Sequence, residues 1–167
     1  MKVNWQHYTF AALPNELLYA ILAVRQEVFV VEQTCYYLDA DGRDRAALHV
    51  VGLVGDRIAA YSRVFDRGIS YPDYASIGRV LTAPFARGRG LGRPLMTYSL
   101  EVLRKHYGQQ VVKISAQAHL QNFYGSLGYV GVGEEYLEDA IPHRAMVLGG
   151  QDIEGAPLRS DTSDGRP

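Results

Sequence analysis

The sequence predicts a single α/β domain of the α+β kind, a mixed, largely antiparallel central sheet flanked by helices. Three observations lead there. Short apolar runs of strand length are separated by clusters of glycine, proline and aspartate. Other segments carry apolar residues at helical spacing. The pieces follow one another as strand, helix, three strands, helix, strand, helix, two strands, with a tight turn inside the group of three.

Val3 to Phe10 alternates as an edge strand does. Pro14 suits a first helical position. Leu17, Leu18, Ile21, Leu22, Val28 and Phe29 then recur on one helical face. Thr34 to Ala46 is polar, carries Asp39, Asp41, Gly42 and Asp44, and reads as a loop. Leu48 to Val54 and Ile58 to Phe65 are strands, and Gly55-Asp56 between them has the composition of a hairpin turn. A loop with Gly68 and Pro72 leads to a strand from Ser76 to Ala83, stopped by Pro84. A helix is expected from Leu91 to His106, with Pro94 in its first turn, where a missing N–H costs little. Val111 to Ala116 follows as a buried strand, Leu120 to Leu127 as a short helix ended by Gly128, and Tyr129 to Tyr136 and Ala145 to Leu148 as the last strands. Residues 1–149 make the domain. Residues 150–167, rich in Gly, Pro, Ser and Asp, read as a flexible C-terminal tail.

Composition narrows the function. A chain of 167 residues with 47% hydrophobic residues suits one domain with an ordinary core. Seventeen basic against eighteen acidic residues leave no basic excess for nucleic acid. No apolar run approaches the ~20 residues of a membrane span, and the first residues lack the apolar centre of a signal peptide. Cys35 is the single cysteine, so no internal disulfide can form, and it reads as a passive, partly buried thiol. Together these point to a cytoplasmic protein without nucleic-acid or membrane partners.

The richest chemistry lies at Arg87-Gly88-Arg89-Gly90-Leu91-Gly92, followed by Arg93. Glycines let a backbone curl so that successive N–H groups point into one concavity. A helix entry adds partial positive charge, and the arginines add full charges that can pair with phosphates. The spacing fits neither G-x-x-x-x-G-K-S/T nor the dinucleotide fingerprint.

Arg87-x-x-Gly90-x-Gly92 resembles the Q/R-x-x-G-x-G/A motif of the GCN5-related N-acetyltransferases (GNAT). Arg79-Val80-Leu81-Thr82-Ala83-Pro84 looks like that family's splayed central strand, and Tyr124-Gly125-Ser126-Leu127-Gly128-Tyr129 is similar to its Y-x-x-x-G-F/Y segment. Within the family the chain looks most like the small ElaA-type branch. The segments that carry this are Arg25 to Gln33, Asp39-x-Asp41-Gly42-x-Asp44, Ala116 to Gln121 and Glu138 to His143.

The resemblance implies a GNAT fold and an acetyl-CoA-dependent N-acetyltransferase without a metal, in which a primary amine attacks the thioester directly in a ternary complex. It implies that Gly88 to Arg93 and their arginines hold the pyrophosphate. It implies that backbone N–H groups near Leu81 and Thr82 polarise the carbonyl, and that Tyr124 is the general acid for the leaving thiolate. Many relatives have an asparagine seven residues before that tyrosine. Gln117 stands there in this chain, with Asn122 as an alternative amide for the pantetheine arm. Glu32, His49, His119 and Glu134 remain open as general bases. A homodimer is an expectation by analogy.

Arg25 breaks an apolar helical stripe, and Glu32 lies seven residues on, two turns along the same face if the helix persists. Either Arg25 packs its stem and sends its head to water, or Arg25 and Glu32 form a polar acceptor pocket. Asp39, Asp41 and Asp44 read as a solvated turn. They lack calcium-loop spacing. The acceptor would be a small-molecule or peptide amine. Two other readings stay open. An acyl-homoserine lactone synthase has a similar pattern of Arg25, Phe29 and the acidic loop, and a non-catalytic module could bind acetyl-CoA without turnover.

Overall fold

The computed structural model describes residues 1–150. The tail expected at 150–167 falls, from residue 151 on, outside them. The elements are β1 (Asn4–Thr9), α1 (Asn15–Arg25), β2 (Leu48–Val54), β3 (Arg57–Phe65), β4 (Ala75–Thr82), α2 (Gly92–Tyr107), β5 (Val112–Gln117), α3 (Gln121–Ser126), β6 (Val130–Glu138) and β7 (Ile141–Leu148). The order along the sheet is β1-β2-β3-β4-β5-β7-β6. Every pairing is antiparallel except β4 with β5. The α+β architecture read from the sequence is therefore the one found.

Both faces of the sheet are buried, which explains why β2 and β3 read as nearly continuous apolar runs. Val50, Ala60 and Val64 join Leu95, Met96, Val102 and Leu103 of α2 in one core. Their neighbours Val51 and Tyr61 point the other way, onto Ile21, Val24 and Val28 of the N-terminal helical segment. Gly55, at φ +59, closes the β2–β3 turn, where Val54 pairs with Arg57.

Two departures from the expected elements matter for function. After α1 the chain continues as a π-helical segment, Gln26–Glu32. And β7 starts at Ile141, so Pro142, His143 and Arg144 belong to the ladder between β5 and β6. Their polar and proline character hid them from a pattern search for apolar alternation.

Candidate active site

Strands β4 and β5 pair only at Ala75 with Val112 and Ser76 with Lys113. Beyond that point they diverge, and a cleft of about 530 Å³ opens between them. On its other edge β4 is held to β3 through a bulge, where Gly78 and Leu81 face Arg63 and Tyr61. Within the bulge Arg79 adopts φ +48. Arg79 and Val80 stand out of register at the bulge, and Leu81 and Thr82 rejoin β3 opposite Tyr61 and Ala60. Leu81 and Thr82, the expected oxyanion-side residues, line the cleft just past it.

The glycine-rich loop crosses one end of this cleft. Gly88 and Gly90 have φ +74 and +69, a region other residues enter at a cost. Gly92 is needed for space instead, since a Cβ there would stand 3.1 Å from Cζ of Phe123. The N–H groups of Gly88, Arg89 and Gly90 meet no acceptor among the described residues. Helix α2 starts with no side-chain cap and no acidic residue in its first turn. A helix entry left open in this way is built for an anion. Leu91 is the anchor, buried against Ala59 and Ala86. Arg89 is exposed and unpaired among the described residues. Arg87 holds Glu32 at 2.7 Å and donates from Nε to the Thr82 carbonyl at 3.3 Å. Arg93 donates to Ser126 Oγ at 2.8 Å.

Tyr124 reaches the cleft from α3, only 6% exposed, its ring edge-on to Phe123 and Tyr129. Burial pushes its hydroxyl up to about 12, so at neutral pH it is a donor. Gln117 ends β5 and lines the cleft, its Nε2 3.5 Å from Gln33 Oε1. Asn122 is exposed and does not line it.

A family model described as an acetyltransferase (GNAT) domain matches residues 24–149. The chain belongs to the GNAT acyltransferase family. Protein ElaA of Escherichia coli strain K12 is 40% identical over 146 residues, 86% of this chain and 95% of ElaA. The crystal structure of Escherichia coli ElaA matches with a TM-score of 0.82 at 39% identity, over 88% of this chain and 99% of that one. An acyl-CoA N-acyltransferase from Pseudomonas aeruginosa matches with a TM-score of 0.83 at 40% identity and the same coverage. These place the chain in the ElaA-type branch of the GNAT family. A CoA-dependent acyl-homoserine lactone synthase, BjaI, shares the fold at a TM-score of 0.72 over 88% of this chain and 83% of its own, at 16% identity.

The GNAT cleft is braced from the α1 side by charges the sequence reading left apart. Arg25 is fully buried, and its head does not reach water. It donates from Nε to Asp39 Oδ2 at 2.8 Å and from Nη1 to Asp44 Oδ1 at 2.6 Å. Arg63 reaches Asp44 Oδ1 at 3.0 Å and also grips Asp41. Arg79, the bulge residue, donates to Asp39 Oδ1 at 2.8 Å. Asp39 and Asp44 are 4% and 7% exposed, so the expected solvated turn is a buried ionic cluster. Burial alone would raise the Asp44 carboxyl, but its hydrogen bond and charge contact with Arg25, then Arg63, hold it below its ordinary value. Asp41 is likewise held down, chiefly by Arg63 against burial.

Arg25 and Glu32 do not form the expected acceptor pair. A π-helical stretch turns less per residue than an α-helix, so seven residues no longer complete two turns. Glu32 is carried round to Arg87 at the glycine-rich loop.

The base candidates separate as well. His49 is fully buried; Nε2–H donates to the Asp44 carbonyl and Nδ1 accepts from Tyr61, both at 2.8 Å, so neither nitrogen is free. Glu32 is paired with Arg87. Glu134 is exposed and away from the cleft, and His119 is at the cleft but exposed and held by no partner among the described residues. His143 and Glu138, which the sequence offered only as part of a family segment, also line the cleft.

Proposed function

We propose that the protein transfers an acetyl group from acetyl-CoA to a primary amine by direct attack, with both substrates in the cleft at once. One observation carries this reading most: an uncapped glycine-rich helix entry and a buried tyrosine, whose hydroxyl has no partner among the described residues, meet on one cleft that runs between two splayed strands. Gly88 to Arg93 fit a pyrophosphate through free N–H groups and Arg89. The cleft edge of β4 near Leu81 and Thr82 offers backbone groups to the pantetheine arm and the thioester oxygen. Gln117 supplies an amide on the facing strand.

Tyr124 donates a hydrogen bond to the departing sulfur. A phenol held near 12 is a weaker acid than a thiol of about 8.5 to 10. Full proton transfer from it is therefore uphill, and its contribution is to stabilise negative charge as the C–S bond breaks. Tyr124→Phe should lower kcat by at least about tenfold, less than the roughly 100- to 10,000-fold that full acid catalysis supplies, and leave CoA affinity unchanged. Thiol release from acetyl-CoA with a panel of primary amines, alongside CoA calorimetry, tests the reading. Binding without thiol release for any amine would make the protein a non-catalytic acetyl-CoA-binding module. A lactone-synthase-like activity remains the second reading on the fold it shares with BjaI. Since BjaI is described as CoA-dependent, the donor does not separate the two and the acceptor must.

A further inference from the structure

Across β5, β7 and β6 one row of residues faces the cleft. Gln117 and His143 are partners across β5–β7, and His143 and Tyr136 across β7–β6. Ile114 and Ala116 of β5 point into the core beneath α2. Ser115 and Gln117 therefore project to the opposite face, toward Gln33 and Cys35 in the chain that follows α1. The phosphate loop sits at the start of α2, so the row lies across the sheet from the donor's entry. It is where an acceptor would arrive.

His143 is held there in one tautomer. Its Nδ1 lies 2.7 Å from the Ile141 carbonyl, which can only accept, so Nδ1 carries the proton. Nε2 of the neutral ring is left with its lone pair. It lies 3.8 Å from Glu138 Oε2. That carboxylate is itself fixed, accepting from Ser115 Oγ at 2.8 Å, while Ser115 also bonds Tyr136, whose ring stacks on His143 at 6.2 Å. A base needs a free lone pair, a fixed direction and a stabiliser for the charge it takes on. His143 has all three. Glu138 and Tyr136 on β6 contact it, and the other titratable or charged groups that line the cleft are Glu32, Cys35 and Tyr37 after α1, Arg63, Tyr71, Arg79, Arg87, His119, Tyr124 and Asp139.

We infer that His143 is the general base for the acceptor amine and that Glu138 is its positioning residue, an assignment that rests on the acyl-transfer reading above. Nε2 takes one proton from R–NH3+. The nitrogen lone pair so released forms the C–N bond to the thioester carbon. The adduct collapses with loss of the C–S bond, and its remaining ammonium proton ends on the sulfur. His143 returns its proton to solvent, so amide, thiol and one proton leave.

The test uses acetyl-CoA with a panel of primary alkylamines and with hydroxylamine, which is largely neutral at neutral pH. For an alkylamine, His143→Gln should lower kcat/KM by at least about 100-fold near neutral pH and leave a profile that simply climbs with the free-amine fraction toward about pH 10.4, with CoA affinity unchanged by calorimetry. With hydroxylamine the loss should stay under about tenfold, because no proton must leave before attack. Glu138→Gln should lower kcat/KM for the alkylamine by about tenfold and leave hydroxylamine turnover nearly unchanged, since the imidazolium loses its carboxylate; a merely structural Glu138 would affect both acceptors alike. Should His143→Gln fold poorly, this acceptor-dependent loss in Glu138→Gln and rescue of His143→Gly by added imidazole read the same role. An unchanged profile, or equal losses with both acceptors, overturns the assignment while acyl transfer stands. Acetyl-CoA binding with no amine acylated by the wild type overturns both.

Discussion

Two arginine-rich regions flank the end of β4 and use the same side chain in opposite ways. In the glycine-rich loop, Arg89 is exposed and unpaired among the described residues and Arg87 is 42% exposed, over a backbone shaped by glycine. In the cluster beneath α1, Arg25 and Arg63 have side chains 0% and 3% exposed and Arg79 17%, and each meets an aspartate. The loop keeps its charge available for a ligand. The cluster consumes its charge to fix shape: it ties the chain after α1 to β3 and to the bulge residue Arg79, and so sets the wall of the cleft. Charge count alone therefore says little about binding; whether counter-charges have already been supplied by the chain decides it.

The largest effect should come from breaking the cluster. Arg25→Met leaves Asp39 and Asp44 with one partner fewer in a buried site, and losing one member of a buried ion pair costs about 3–5 kcal/mol. Urea unfolding should show that loss, and the protein that stays folded should bind CoA with near-native affinity. Unchanged stability with weakened CoA binding would place Arg25 among the ligand contacts and erase the contrast.

Next comes the loop, with the signs reversed. Gly90→Val puts a β-branched residue at φ +69 and crowds the open N–H groups. CoA affinity should fall at least tenfold, on the order of 1.4 kcal/mol, with a smaller loss of stability than in the cluster, about 1–3 kcal/mol from the strained backbone and none from a clash, because nothing lies within 4 Å of the added Cβ. Calorimetry on the folded variant decides it. Equal affinity would remove the phosphate from this loop.

What the sequence made legible divides along the same line. The loop declared itself because its requirements are local: positive φ at Gly88 and Gly90, close approach at Gly92, and a helix entry immediately after. The cluster did not, because Arg25 meets partners fourteen and nineteen residues away, and nothing in a solvated-looking D-x-D-G-x-D stretch states that it will be buried. Arg63 lay unnoticed inside a strand that otherwise reads as apolar, and Arg79 stood out only as part of the splayed-strand segment, with no sign of its pairing to Asp39. The π-helical turn misled for a third reason, since α-helical phase was assumed across Gln26–Glu32. His143 was hidden by Pro142 at the start of β7, which broke the alternation that marks a strand.

Acid should sharpen the comparison further, because the cluster couples folding to protons, to which His7 on β1, held low by burial and by His106, adds a smaller share. Burial holds His49 below its ordinary value, against a smaller opposing pull from Asp44. The unfolded chain then binds a proton near pH 6.5 that the folded chain refuses, so stability is full above that pH and is lost as pH falls below it. The slope cannot exceed about 1.4 kcal/mol per pH unit for one group. Asp41 and Asp44, also held below their ordinary values, add a second loss below about pH 4. Melting curves should therefore fall in two stages, and His49→Gln should flatten the first. A single-stage fall in the wild type would mean that His49 is not kept neutral by the fold.

The smallest effect should appear where the two regions touch. Glu32 and Arg87 lie 2.7 Å apart, each 42% exposed, and a pair of that kind is worth about 0–1 kcal/mol to stability. Its consequence for binding has the opposite sign. Among the described residues Glu32 occupies the one loop arginine that a carboxylate reaches, and it places a negative charge beside the proposed phosphate site. Glu32→Gln should leave the melting temperature within a degree or two and raise CoA affinity about two- to threefold, since Arg87 is released and a like charge removed. Salt provides the control. The gain should shrink between about 0.05 and 0.5 M salt as the Debye length contracts, whereas a gain from altered packing would persist. Arg87→Gln should lower affinity over the same range. If Glu32→Gln instead weakens CoA binding, Glu32 is holding Arg87 in its working position, and the loop, like the cluster, relies on a counter-charge to set its shape.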